Sequence, residues 1–117
     1  MYKLKYKEIK EYREQFLKEQ NGKCLLCGQQ IEPGKEVLDH DHRSGQIRGV
    51  LHRGCNALLG KIENSMAMNG IDDWLLSNIC HRLISYRIHK KELLHPTYKT
   101  IEEKKLKQKL KNKKKTK

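Results

Sequence analysis

A chain of 117 residues has room for one domain with appendages. Only 36% of it is hydrophobic and 34% is charged, so an apolar core must be thin and lean on a metal or a partner subunit. The net charge of +12 points to a polyanion, nucleic acid before a membrane surface. The chain has no apolar run of about 18 residues to span a bilayer. Its first residues, MYKLKYKEIKEYREQFL, lack the apolar stretch of a signal peptide.

Those exclusions predict a cytoplasmic protein with reduced cysteines. In chain order, residues 5–20 read as a helix, with Ile9, Tyr12, Phe16 and Leu17 on one face and Asn21–Gly22 as its stop. Two short turns follow, CLLCG and IEPGKE, the second marked by Pro33–Gly34. VLDHDH and QIRGVLH are β-compatible runs joined by RSG, as in a hairpin. The pattern turns helical again from about Cys55, with Ala57, Leu58 and Ile62, until Asn69–Gly70 breaks it. Asp72 or Asp73 then caps a longer helix with Trp74, Leu75, Ile79, Leu83 and Tyr86 on one stripe. Pro96 is expected to end the ordered region. Residues 101–117, with nine lysines, read as a basic, disordered tail.

The cysteines suggest metal before disulfide. Cys24-x-x-Cys27 pairs naturally with His52-x-x-Cys55. Two residues between ligands let a tight turn aim both side chains at one point, and two such pairs complete a tetrahedron that suits structural Zn²⁺. Cys80 has no partner at such spacing and reads as core. His81, His89 and His95 read as surface or capping residues.

Zinc consumes His52 but leaves Asp39, His40, Asp41, His42 and Asn56 around the same turn. On a regular strand Asp39 and Asp41 would share one side, and His40 and His42 the other. A hard cation such as Mg²⁺ or Mn²⁺ takes oxygen ligands, which one aspartate and one asparagine supply. A neutral histidine beside them can take a proton from an attacking water. A carboxylate, an imidazole and an amide are enough parts for phosphodiester hydrolysis.

The stretch CLLCG … LDHDHRSGQIRGVLHRGCNALLG resembles the recombination endonuclease VII family, Holliday-junction resolvases within the wider HNH, or ββα-metal, nucleases. The matching pieces are NGKCLLC, LDHDH, the IRGVL strand, and CN before a helix rich in small residues. The later WLLSNICHRLISYRIHKKELLHP is also similar, so the resemblance spans residues 5–98. It implies an α+β fold: a small zinc-stapled ββα-metal core between an N-terminal helix and a long C-terminal helix. The expected organisation is a nuclease core over 1–68, a helical packing or dimerisation segment over 69–100 and the tail over 101–117. It further implies that Asp39 and Asn56 hold the catalytic Mg²⁺ or Mn²⁺, that His40 is the general base and that His42 helps at the scissile phosphate. Asp41 has no clear role in the resemblance and would support the hairpin or orient a neighbour. Two departures stand out. The family's best-known members close the zinc site with a cysteine where this chain has His52. Some carry a glutamate near the catalytic metal where this chain has Leu59, and Glu63, one turn on, is expected to face away.

Arg43, Arg48, Arg53 and Lys61 flank the hairpin and the helix start, where they would hold DNA phosphates. The apolar helix over 72–89 and the family's entwined helices together imply a homodimer. The resemblance makes the chain a metal-dependent endonuclease on branched DNA, encoded by a phage and acting in its host's cytoplasm. Two alternatives use the same parts: an HNH nicking or homing-type endonuclease on ordinary duplex, and a zinc-stapled DNA-binding module without catalysis.

Overall fold

The computed structural model describes residues 1–115 and is α+β. The chain divides after Asn78 into two units, 1–78 and 79–117, each described by itself below. A 3₁₀ turn over Tyr6–Glu8 leads into α1 (Ile9–Glu19), followed by β1 (Glu36–His40), β2 (Ile47–His52), α2 (Arg53–Asn69), α3 (Asp73–Ile88) and α4 (Ile101–Lys115). Among the described residues no helix is long and apolar enough to cross a membrane.

Within the first unit, β1 and β2 form an antiparallel hairpin packed between α1 and α2. Helix α1 stops where its sequence says it should. Asn21 and Gly22 both take left-handed backbone angles, and the Gly22 N–H reaches the Leu17 carbonyl at 2.9 Å. The left-handed φ of 75° at Gly22 is one that side chains rarely adopt, which favours glycine at this turn.

The core is small. Cys24, Ile31, Val50 and Leu51 are buried, and Phe16, Leu17, Leu38, Cys55 and Leu59 pack against them. Burying an aliphatic side chain stabilises by roughly 1.5–3 kcal/mol, so this cluster leaves a narrow margin once chain entropy is met. Gln20 adds a polar clamp. Its side-chain oxygen accepts the Val50 N–H at 2.9 Å, and its amide nitrogen donates to the Val50 carbonyl at 2.9 Å and the Lys23 carbonyl at 2.8 Å. The amide thus satisfies the outer edge of β2, as a further strand would. Gly49 leaves room for it, because a Cβ there would crowd the Gln20 side-chain oxygen at 3.2 Å and meet Leu25 at 2.5 Å.

Helix α3 is capped by Asp72, whose carboxylate accepts the Leu75 N–H at 2.8 Å. Cys80, expected in the core, is exposed, and α3 buries none of its residues. The chain does not end its regular structure at Pro96. His95 and Thr97 close a turn there, with the His95 Nδ1 2.7 Å from the Thr97 hydroxyl. Composition suggested a disordered tail over 101–117, whereas residues 101–115 form α4. Lysine, leucine, glutamine and glutamate are all good helix formers. Thr100 also starts the helix, its hydroxyl accepting the Glu103 N–H at 3.1 Å while the Glu103 carboxylate reaches back at 3.3 Å. Residues 116 and 117 of the expected tail lie outside the described residues.

Candidate metal centre and active site

The four predicted zinc ligands come together. Cys24 and Cys27 lie on the turn after α1, His52 ends β2, and Cys55 is in the first turn of α2. One ligand atom from each lies within 4.8 Å of every other. The turn is shaped for this: Gly28 donates to the Cys24 carbonyl at 2.9 Å, and Lys23 and Gln30 form an isolated antiparallel bridge around it. Three thiols and an imidazole are a donor set that zinc takes as a tetrahedral structural site. The residues therefore fit the metal by their chemistry as well as by their spacing.

The surroundings favour the thiolate form at Cys24. Burial pushes its thiol up, but the N–H groups of Cys27, His52 and Leu26 and the His52 ring outweigh it and bring it down to about 6. The Leu26 and His52 N–H groups both lie 3.4 Å from the sulfur. Cys55 moves the other way, to about 11, through burial and then through the neighbouring Cys27 and Cys24 sulfurs. Crowded thiolates repel one another, and a divalent cation among them removes that cost.

The second constellation sits where β1 meets the hairpin turn. The pairing slips there: Asp39 faces Gly49, but His40 faces Ile47, so Arg48 is left over in a β-bulge. In an unbroken ladder Arg48 would oppose His40. The extra residue re-aims it onto Asp39 instead. Its Nε donates to Asp39 Oδ2 at 2.7 Å and its Nη2 to Oδ1 at 3.3 Å. Asp39 is 5% exposed, so the pairing offsets the cost of burying a carboxylate.

Arg48 is held from its other edge by Glu63, which accepts from Nη1 at 2.9 Å and from Nη2 at 3.0 Å. This corrects the expectation that Glu63 faces away. Leu59, one turn earlier on α2, packs on the core, and residues four apart on a helix share a face. Glu63 therefore turns toward the hairpin with Leu59, which was the available signal. Its Arg48 hydrogen bonds hold the Glu63 carboxyl below the usual carboxylate range. A recess of about 190 Å³ beside this triad is lined by Leu25, Leu26, Asp39, Arg48, Gly49, Leu51 and Leu59.

His40 and His42 are exposed, with ring centroids 4.7 Å apart. The turn between the strands is tied by Asp41, whose Oδ1 accepts the Arg43 N–H at 2.7 Å and the Ser44 N–H at 3.1 Å. Asn56 is half-buried in α2, next to Cys55. Of the four expected phosphate contacts, Arg43 and Lys61 are exposed. Arg48 is engaged as above, and Arg53 donates to the Gly34 carbonyl at 3.3 Å.

The model of the family described as recombination endonuclease VII matches residues 1–77, a span that holds both constellations.

Proposed function

The chain belongs to the recombination endonuclease VII family, a family of DNA endonucleases, and on that footing we propose that it hydrolyses phosphodiester bonds in branched DNA, at Holliday-type junctions, in a metal-dependent reaction. The observation that carries this reading is the end of β1. There a buried carboxylate, Asp39, is followed at once by an exposed imidazole, His40, on a hairpin that the Cys24–Cys27–His52–Cys55 cluster ties to α2. We read this unit as a ββα-metal nuclease core.

In the proposed reaction the neutral His40 ring takes a proton from a water as its oxygen attacks phosphorus. The bond to the leaving oxygen breaks, and that oxygen leaves as an alkoxide that gains a proton from solvent. His42, next to His40, contacts the scissile phosphate. Asp39 and Asn56 offer a carboxylate and an amide oxygen, donors that suit Mg²⁺ or Mn²⁺. Such an ion, when bound, supplies positive charge for the phosphate and for the leaving oxygen. Arg43 and Lys61, both exposed, hold flanking phosphates. A resolvase cuts two strands and needs two active sites, so we assign the exposed apolar residues of α3, Trp74 among them, to a homodimer.

Incubation with a synthetic four-way junction and a matched linear duplex, each with Mg²⁺ or with EDTA, tests the reading. Paired cuts in the junction that require Mg²⁺ are the expected result. Equal cutting of the duplex would indicate a nicking or homing-type enzyme, and binding without cleavage a non-catalytic module.

A further inference from the structure

We propose that Glu63, by offsetting the Arg48 charge beside Asp39, sets the affinity of the Asp39 carboxylate for a divalent cation. The inference rests on the reading of Asp39 as a metal ligand and goes beyond it.

The argument is one of charge and lone pairs. The Asp39 side chain is 6% exposed and its nearest cation is Arg48, at 2.7 Å. A single guanidinium against a single carboxylate is neutral as a pair, so a cation arriving at Asp39 would meet little net attraction. Glu63 changes the sum. Its own contact with Arg48, at 2.9 Å, brings the three side chains to one net negative charge. The third charge is screened only in part, since the Glu63 side chain is 38% exposed and that of Arg48 33%.

Geometry supports the same role. A carboxylate has about four lone-pair sites, and Arg48 uses one on each Asp39 oxygen, leaving the others for a cation. The guanidinium is a rigid planar fork. With Glu63 gripping Nη1 and Nη2 it cannot rotate, so it fixes the plane of the Asp39 carboxylate.

The test is Mn²⁺ binding to the zinc-loaded, full-length protein without DNA, followed by electron paramagnetic resonance titration, with melting temperature measured alongside. The net charge of the three side chains is −1 in the wild type, 0 in Glu63→Gln, −2 in Arg48→Gln and −1 in the double variant. Glu63→Gln is expected to weaken Mn²⁺ binding on the order of tenfold. Arg48→Gln is expected to tighten it, and the double variant to return within about twofold of wild type. A merely structural triad gives another order: Arg48→Gln, which removes both ion pairs and leaves the buried Asp39 carboxylate unpaired, would melt lowest and bind worse than wild type. That order, or unchanged binding in Glu63→Gln, overturns the inference while Asp39→Asn still abolishes binding. Mn²⁺ binding that survives Asp39→Asn overturns the reading of Asp39 itself, and the inference with it.

Discussion

The Nε2 of His52 lies 3.0 Å from the carbonyl of Gln30. A carbonyl only accepts, so Nε2 carries the proton, and in the neutral ring Nδ1 is left bare. That Nδ1 is 3.3 Å from the Cys27 sulfur and 3.8 Å from the Cys55 sulfur. One backbone contact thus selects the tautomer that presents a lone pair to the ligand cluster.

This arrangement predicts a protein whose fold depends on its metal. Structural zinc stabilises small domains by roughly 10–16 kcal/mol in peptide systems, more than a core of four buried residues offers. Cys27→Ser should therefore lose the metal and melt at a markedly lower temperature, as should the wild type in a strong chelator. Elemental analysis and thermal melts check this. A Cys27→Ser protein with full zinc content and an unchanged melt would remove Cys27 from the site.

His40→Ala should behave in the opposite way. His40 is exposed and its ring lies against that of His42, away from the buried core, so the fold and zinc content should hold. Loss of a general base costs about 10²–10⁴ in rate. Single-turnover cleavage of a junction at saturating enzyme measures it, and a near wild-type rate would disqualify His40.

The hairpin turn should titrate. The Ser44 and Arg43 N–H groups hold the Asp41 carboxyl below its ordinary range. A carboxyl lowered by folding adds stability that is fully present above its unfolded pKa and is lost as pH falls through the folded one. Asp41→Ala should therefore be less stable than wild type at neutral pH, and the gap should close in acid. Denaturant melts of both proteins across pH 2–6 measure the gap, and a constant gap would mean that the charge of Asp41 has no part in the turn.

Much of this could be read from the chain, and the failures have physical causes. The Cys24–Cys27–His52–Cys55 cluster was legible because two x-x spacings constrain geometry almost alone. The stop at Asn21–Gly22 was legible because so few residues tolerate left-handed angles. The Asp39–Arg48–Glu63 triad was not, since it depends on a bulge that the alternation of a strand does not announce. Arg48 accordingly read as a phosphate ligand. Glu63 was recoverable: it follows Leu59 by four residues, and an apolar Leu59 facing the core fixes the direction of its stripe. Cys80 on α3 and the tail that forms α4 were misjudged differently. An apolar stripe predicts burial only if something covers it, and a lysine run predicts disorder only if no cap starts a helix.

Deleting residues 101–117 should weaken binding to every DNA form and make it less sensitive to salt. Each lost phosphate contact should reduce the slope of log affinity against log salt by roughly 0.9 on duplex. Cleavage at saturating DNA should return to the wild-type rate, because the proposed catalytic residues lie within 39–56. Fluorescence anisotropy at several salt concentrations checks the slope, and an unchanged slope would leave the tail without a part in binding.

Asn56→Asp probes the proposed metal site most directly. Asn56 stands four residues past His52, the N-cap of α2, so it is not the cap itself. Its neighbour Cys55 belongs to the candidate metal cluster, so the helix start that carries Asn56 is held in place when that metal is bound. An amide offers a neutral oxygen and an aspartate a charged one. The added carboxylate should tighten Mg²⁺ binding and lower the concentration needed for half-maximal cleavage. It should also cancel part of the positive charge that stabilises the phosphate transition state, so the maximal rate should fall. Opposite movements of midpoint and plateau are the signature of a metal ligand, since a variant that merely destabilised α2 would lower the plateau and leave the midpoint in place. A metal titration with the wild-type midpoint and plateau would remove Asn56 from the site, leaving Asp39 without its proposed second protein ligand.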